Sequence, residues 1–229
     1  MSTESPQRGR DSAATDKLQI LATEHWSLLA TRSLTYTEAL GRVTIFLAIL
    51  SGAVIALALV AQADHFGTTF IAIAIPLLAI VAYAGVATIS RLTTLNRDDY
   101  RWVVGMNRLR HAYLELHPEL EPHFIASPYD DYHGALRTLG VDQPEGSDGG
   151  WSVLHLIQTL PGMLTVIVAA VVGAIAALAA VALGLPPLVA VVAAAVAFVL
   201  VVGVLGIWGQ RSAYRMSPSL EPRFPTPQP

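Results

Sequence analysis

Val43-Thr-Ile-Phe-Leu-Ala-Ile-Leu-Ser-Gly-Ala-Val-Ile-Ala-Leu-Ala-Leu-Val-Ala-Gln62 runs for twenty residues without Asp, Glu, Lys, Arg or His. Wound as an α-helix, it measures about 30 Å, the hydrocarbon thickness of a bilayer. Phe70–Ser90, Met163–Leu183 and Pro187–Trp208 repeat the pattern. In lipid each backbone amide must find its partner inside its own segment, which makes helices the expected spanning form. The chain therefore reads as an all-α polytopic membrane protein with four transmembrane helices in two hairpins. Ala63–Thr69 closes the first hairpin, and Gly184-Leu185-Pro186-Pro187 closes the second.

The placement of charge orients this plan. Of the fourteen Lys and Arg residues, five precede the first run, six lie between the second and third, and three follow the fourth. Basic residues resist translocation, so both termini and the long middle loop are expected in the cytoplasm. Asp64 and His65 are the ionisable residues left on the other side. Thirteen of the fourteen basic residues are Arg, and Ala and Val are abundant, as in GC-rich bacterial genomes. The expected location is the bacterial inner membrane. The polar first 42 residues show no cleaved signal peptide, leaving the first span as the insertion signal.

Composition also excludes chemistry. The absence of cysteine removes disulfides, thiolate nucleophiles and cysteine metal sites. An intramembrane charge costs about 2.5–3.5 kcal/mol and is usually retained for a task. No span carries one, which argues against a proton-coupled carrier or an intramembrane enzyme. No phosphate loop, catalytic triad or nucleic-acid module is present, so no catalytic residue, cofactor or small-molecule substrate is assigned.

Outside the spans, residues 1–11 and 209–229 read as disordered tails, the latter rich in proline. Residues 12–117 read as a stem helix, the first two spans and a second stem helix. Ala22, Trp26, Leu29, Ser33, Tyr36, Leu40 and Val43 follow the alternating four-three spacing of a helix-packing seam. Leu92, Leu95, Trp102, Met106, Leu109, Tyr113 and Leu116 form a second seam, interrupted by Asp99. Such seams favour a homo-oligomer joined through the stems. Residues 118–160 read as a loop: irregular over Glu119–Ala126, a short helix capped by Ser127 and ending at Gly140, a linker over Val141–Gly150, and an interfacial helix over Trp151–Leu160. Pro161-Gly162 is expected to bend the chain before the last two spans, which lie within residues 161–208.

Small residues four apart let membrane helices approach closely. Ala48, Gly52 and Ala56 form such a face, as do Ala169, Gly173 and Ala177, and then Gly203 and Gly206 with Gly209. They serve either an oligomer interface or packing inside one subunit. Pro76 leaves the Ala72 carbonyl without its helical amide and marks a candidate kink. Thr44, Ser51, Thr88 and Thr165 either line a narrow pore or bond back to their own helices. His111 and Glu115 share a helix face, with His117 and His123 nearby, but their spacing matches no zinc signature and no metal is assigned.

The stretches Glu24-His-Trp-Ser-Leu-Leu-Ala-Thr-Arg-Ser-Leu-Thr-Tyr36, Met106-Asn-Arg-Leu-Arg-His-Ala-Tyr-Leu-Glu-Leu-His-Pro-Glu-Leu-Glu-Pro-His-Phe124 and Pro128-Tyr-Asp-Asp-Tyr-His-Gly-Ala-Leu-Arg-Thr-Leu-Gly140 resemble a group of uncharacterised bacterial four-span membrane proteins. The likeness extends from Leu18 to Trp208 and implies the fold without an activity. A looser, architectural likeness is to two-span effector modules proposed to form pores. The expected function is a non-enzymatic membrane protein that self-associates as a scaffold, sensor or interaction partner. The alternative is an oligomeric ion-permeable channel.

Overall fold

A computed structural model describes residues 5–140, 159–214 and 221–227. Every regular element among them is helical: α1 Ser5–Asp64, α2 Thr68–Leu116, a 3-10 turn at Pro118–His123, α3 Tyr132–Leu139, α4 Leu160–Ala182 and α5 Pro187–Tyr214. α1, α2, α4 and α5 are long and apolar enough to cross a membrane. The chain divides into two compact units, to both of which α1 and α2 contribute. An apolar unit holds Thr37–Asn96 and Gly149–Arg215, and a stem unit holds Met1–Tyr36, Arg97–Asp148 and Met216–Pro229.

In the apolar unit the core is built by three helices. Phe46 and Ala53 of α1, Leu78, Val81 and Leu92 of α2, and Leu164 and Val168 of α4 pack into one buried cluster. Gly85 lies where the three meet, because a Cβ there would run into Val168 and come within 3.0 Å of the Phe46 ring. α4 is the most enclosed of the four spans and α5 the least. α5 thus turns Leu188, Val191, Val196, Val199, Val204 and Ile207 outward, the surface a lipid-facing helix requires. Glu38 and Arg91 pair through two bonds of 2.9 and 3.1 Å, and Arg42 donates to the same carboxylate.

The α1–α2 connection is short and capped. Asp64 accepts the Phe70 amide at 2.7 Å with its side chain and the Gly67 amide at 2.9 Å with its carbonyl. A carboxylate there satisfies an amide of the first turn of α2, as an N-cap does. His65 and Phe66 carry the reversal at φ 49° and 60°.

In the stem unit α1 and α2 meet in antiparallel register. Leu28 lies beside Gly105, His25 stacks on Tyr113 at 5.9 Å, and Arg32 pairs with Asp99 at 2.7 and 3.2 Å. Asp99, the polar interruption in the α2 seam, thus has its complement on α1. The α1 seam itself is displaced by one residue from expectation. Leu21, Ala22, His25, Leu28, Arg32 and Thr35 are shielded, whereas Trp26 is 71% and Tyr36 63% exposed. Arg32 governs this rotation, because its guanidinium must face Asp99. On α2, Val103, Val104, Met106 and Asn107 are all buried, because α3 packs on this stretch as well as α1.

Several boundaries differ from the sequence reading. α1 already includes residues 5–11, inside the expected tail. α5 continues to Tyr214, past residue 209. Glu119–His123 form a 3-10 turn rather than irregular chain. Asp131, not Ser127, caps α3, accepting the Gly134 amide at 2.8 Å. Ser127 instead closes a local turn by accepting the Tyr129 amide. Gly140 ends α3 as expected, in the left-handed region at φ 70°, where glycine pays no Cβ penalty. Pro161 and Gly162 do not bend the chain before α4 but form its first turn, behind a Thr159 cap. The expected linker at 141–150 and most of the interfacial helix at 151–160 lie outside the described residues.

Candidate functional site

The residues singled out from sequence divide sharply. Ala169 is buried on α4, and a Cβ on Gly173 would come within 3.0 Å of the Ala194 carbonyl of α5. That small-residue face brings α4 and α5 together inside the subunit, with Ala177 half-buried beside it. Ala48, Gly52 and Ala56 are exposed, and nothing lies within 4 Å of a Cβ built on Gly52, Gly203 or Gly206. Pro76 is exposed within an uninterrupted α2. Thr44, Thr88 and Thr165 bond back to the carbonyls of Leu40, Ala84 and Pro161. A recess of 250 Å³ between α2, α4 and α5 is lined by valine and leucine, which offer no polar group to orient a ligand.

His111 and Glu115 approach to 3.8 Å, and His117 meets Glu119 at 3.0 Å. Among the described residues no three His, Cys, Asp or Glu side chains converge as a metal-binding group. The His111 ring is engaged otherwise: it stacks on Phe224 at 3.9 Å and 20°.

That stack belongs to a site that sequence reading missed. Glu221–Pro227, expected to be disordered, sits against the stem unit. The carboxylate of Asp130 is fully shielded and accepts the Phe224 amide at 2.7 Å, the Arg223 amide at 3.0 Å and Arg108 Nε at 2.6 Å. The Asp130 amide donates to the Phe224 carbonyl at 3.1 Å. Arg108 also reaches the Glu221 carbonyl at 2.9 Å. Asp131, while capping α3, accepts the Thr226 hydroxyl at 2.8 Å and its amide at 3.1 Å.

A polar hub holds these side chains in place. Asn107, wholly buried on α2, donates to the Tyr129 carbonyl at 2.7 Å. Its own oxygen accepts the Thr138 hydroxyl at 2.9 Å and Arg110 at 2.6 Å. Thr138 in turn accepts the Ser127 amide. The loop before α3 is thus tied to α2 through Tyr129 and to α3 through Ser127, and Asp130 and Asp131 follow directly.

Burial opposes ionisation of Asp130 more than any single partner favours it. The Arg223 and Phe224 amides and Arg108 together outweigh it and hold the carboxyl below its ordinary pKa. Arg108 is the facing cation, and Asp131 and the Tyr100 phenol are the other titratable groups close by. A depressed native pKa gives stability that is complete above the unfolded value, about 4, and is lost as pH falls through the native value. The tail should therefore stay seated through the ordinary carboxylate range and leave only below it. Anisotropy of a fluorophore at the C-terminus, followed from pH 7 downward, checks this, and release complete by pH 5 would contradict it.

The chain matches no protein-family model, no curated protein and no solved structure in the comparisons made.

Proposed function

We propose that the chain is a non-enzymatic, multi-pass protein of the bacterial inner membrane that self-associates through α1 of its stem unit. Both termini and the stem unit face the cytoplasm, and the protein acts there as a scaffold, sensor or interaction partner. The observation that supports this is the spare seam on α1. Trp26, Leu29 and Tyr36 keep helix-packing spacing yet stand 71%, 42% and 63% exposed. Leu40 continues the spacing in the apolar unit and is also exposed. A large aromatic and aliphatic stripe outside lipid is the usual mark of an interface.

A second copy is the occupant best suited to it. The bilayer gives every copy the same orientation, so a rotation axis along its normal sets identical seams facing each other in parallel. Trp and Tyr anchors at such seams contribute about 2 kcal/mol each. The test is mass determination in nanodiscs and detergent, using the wild type and a Trp26→Lys, Tyr36→Lys double variant. The wild type should be oligomeric. The variant should fall to monomer, or associate at least about a hundredfold more weakly, with its helical spectrum unchanged. A wild type that is monomeric at every concentration removes this function.

A further inference from the structure

We propose that Arg108, His111, Asp130 and Asp131 form a peptide-binding site, for which the chain's own Glu221–Thr226 segment is the resident ligand. The ligand class is a short peptide of Arg-Phe-Pro-Thr type, bent at Arg-Phe. Two successive amides meet one carboxylate, an aromatic ring follows for the imidazole, and a hydroxyl two residues later reaches the second carboxylate.

The receptor side is built without the tail. Asn107 pins the Tyr129 carbonyl, Thr138 holds the Ser127 amide, and Asp131 is already fixed by its bond to Gly134. Arg108 projects from α2, which α1 and α3 also hold through contacts that do not include the tail, among them the Arg32–Asp99 pair and the packing of Val103 and Val104 with Ala135. The ligand side is equally self-contained. Every bond comes from within six consecutive residues, and none requires that the peptide be covalently attached to this chain. The peptide also suits its role. Pro222 and Pro225 restrict the backbone on either side of the Arg223–Phe224 bend and lack amides that would go unpaired, so less conformational freedom is lost on docking. Main-chain bonds supply the grip, while Phe224 and Thr226 supply the selectivity, as in other modes of peptide recognition.

A labelled synthetic peptide with the sequence Glu221–Pro227 tests this against the full-length chain in nanodiscs. The Phe224→Ala chain, its own tail weakened, should bind the peptide at least tenfold more tightly than the wild type, whose site is filled. Adding Asp130→Asn to Phe224→Ala should remove that binding, and a peptide with Ala in place of Phe should not bind. A second acceptor, cut by a protease at a site inserted within residues 215–220 and washed free of its tail, guards against an altered fold. The proposal is overturned if neither acceptor shows saturable binding while keeping wild-type helicity and melting. Equal binding by acceptor and wild type overturns it too, because the peptide would then be held elsewhere. The peptide is supplied in solution, so failure of assembly through α1 leaves this result unaffected.

Discussion

Replacing Asn107 with alanine should destabilise the stem unit by about 3 kcal/mol, more than any surface change on the same helix. The buried amide serves three partners at once: the Tyr129 carbonyl, the Thr138 hydroxyl and Arg110. Alanine cannot replace any of those bonds. A buried polar group left without a partner costs about 1–3 kcal/mol, and here the carbonyl is held in a packed loop. Thr138 can turn its hydroxyl toward another acceptor and Arg110 can reach for water, which keeps the total below the sum of three losses. Asn107→Asp is the sharper control. It keeps both acceptor bonds but replaces the donor to Tyr129 with a second oxygen, so it should also destabilise, and most strongly where the aspartate is ionised. Chemical denaturation followed by Trp102 and Trp26 fluorescence reads both variants. A loss under 1 kcal/mol for Asn107→Ala would mean the loop before α3 is not held through this residue. The same variant should free the tail, because Asp130 and Asp131 lie just beyond the pinned carbonyl of Tyr129.

The contrast between what was and was not legible in the sequence follows from how far each interaction reaches. Membrane-length helices are written in uninterrupted composition, and the four appear as expected. The α1 seam suggested by spacing lies one residue from the packed one because two adjacent faces carry the same four-three spacing. Bulky residues mark the outer one. The inner one contains His25, Arg32 and Thr35, which resemble a solvated face until Asp99 is placed opposite Arg32. Asp99 interrupts the α2 seam, and a charge inside a seam is itself a signal that the partner seam holds its opposite. At Val103–Asn107 the four buried residues exceed what a single seam explains, which marks a helix packed on two sides. The tail carries no sequence signal of order because proline-rich chain has no periodicity of its own. Its bonds to Asp130 and Asp131 span 93–95 residues, beyond any local pattern. The small-residue faces divided for a similar reason. Sequence shows where close approach is allowed, but only the neighbouring helix shows where it occurs, and Gly173 has that neighbour while Gly52 does not.

Glycine-to-leucine changes at two positions in the apolar unit should have opposite outcomes. Gly85→Leu should be strongly destabilising, and Gly52→Leu should not. Helix propensity favours both substitutions by up to about 1 kcal/mol, since glycine is the poorer helix former. At Gly85 this gain is outweighed. Even the first added carbon meets Val168 of α4 and the ring of Phe46 on α1, and both of those side chains are buried. Valine has one rotatable bond and no flexible end to swing away, so relief requires α4 to move outward. Overpacking of this kind costs about 1–3 kcal/mol, and a leucine at a junction of three helices belongs at the upper end. Separating α4 from α2 would also open voids beside Leu164 and Leu78, whose contacts no lipid tail reproduces at the same density. At Gly52 a Cβ meets nothing within 4 Å, so the propensity term stands alone. Unfolding free energies measured in bicelles by steric trapping should therefore fall by about 2–3 kcal/mol for Gly85→Leu and stay level or rise slightly for Gly52→Leu. Equal losses at both positions would mean that α1 meets another surface through Gly52. Tolerance at Gly85 would mean that α4 does not pack into the junction of α1 and α2.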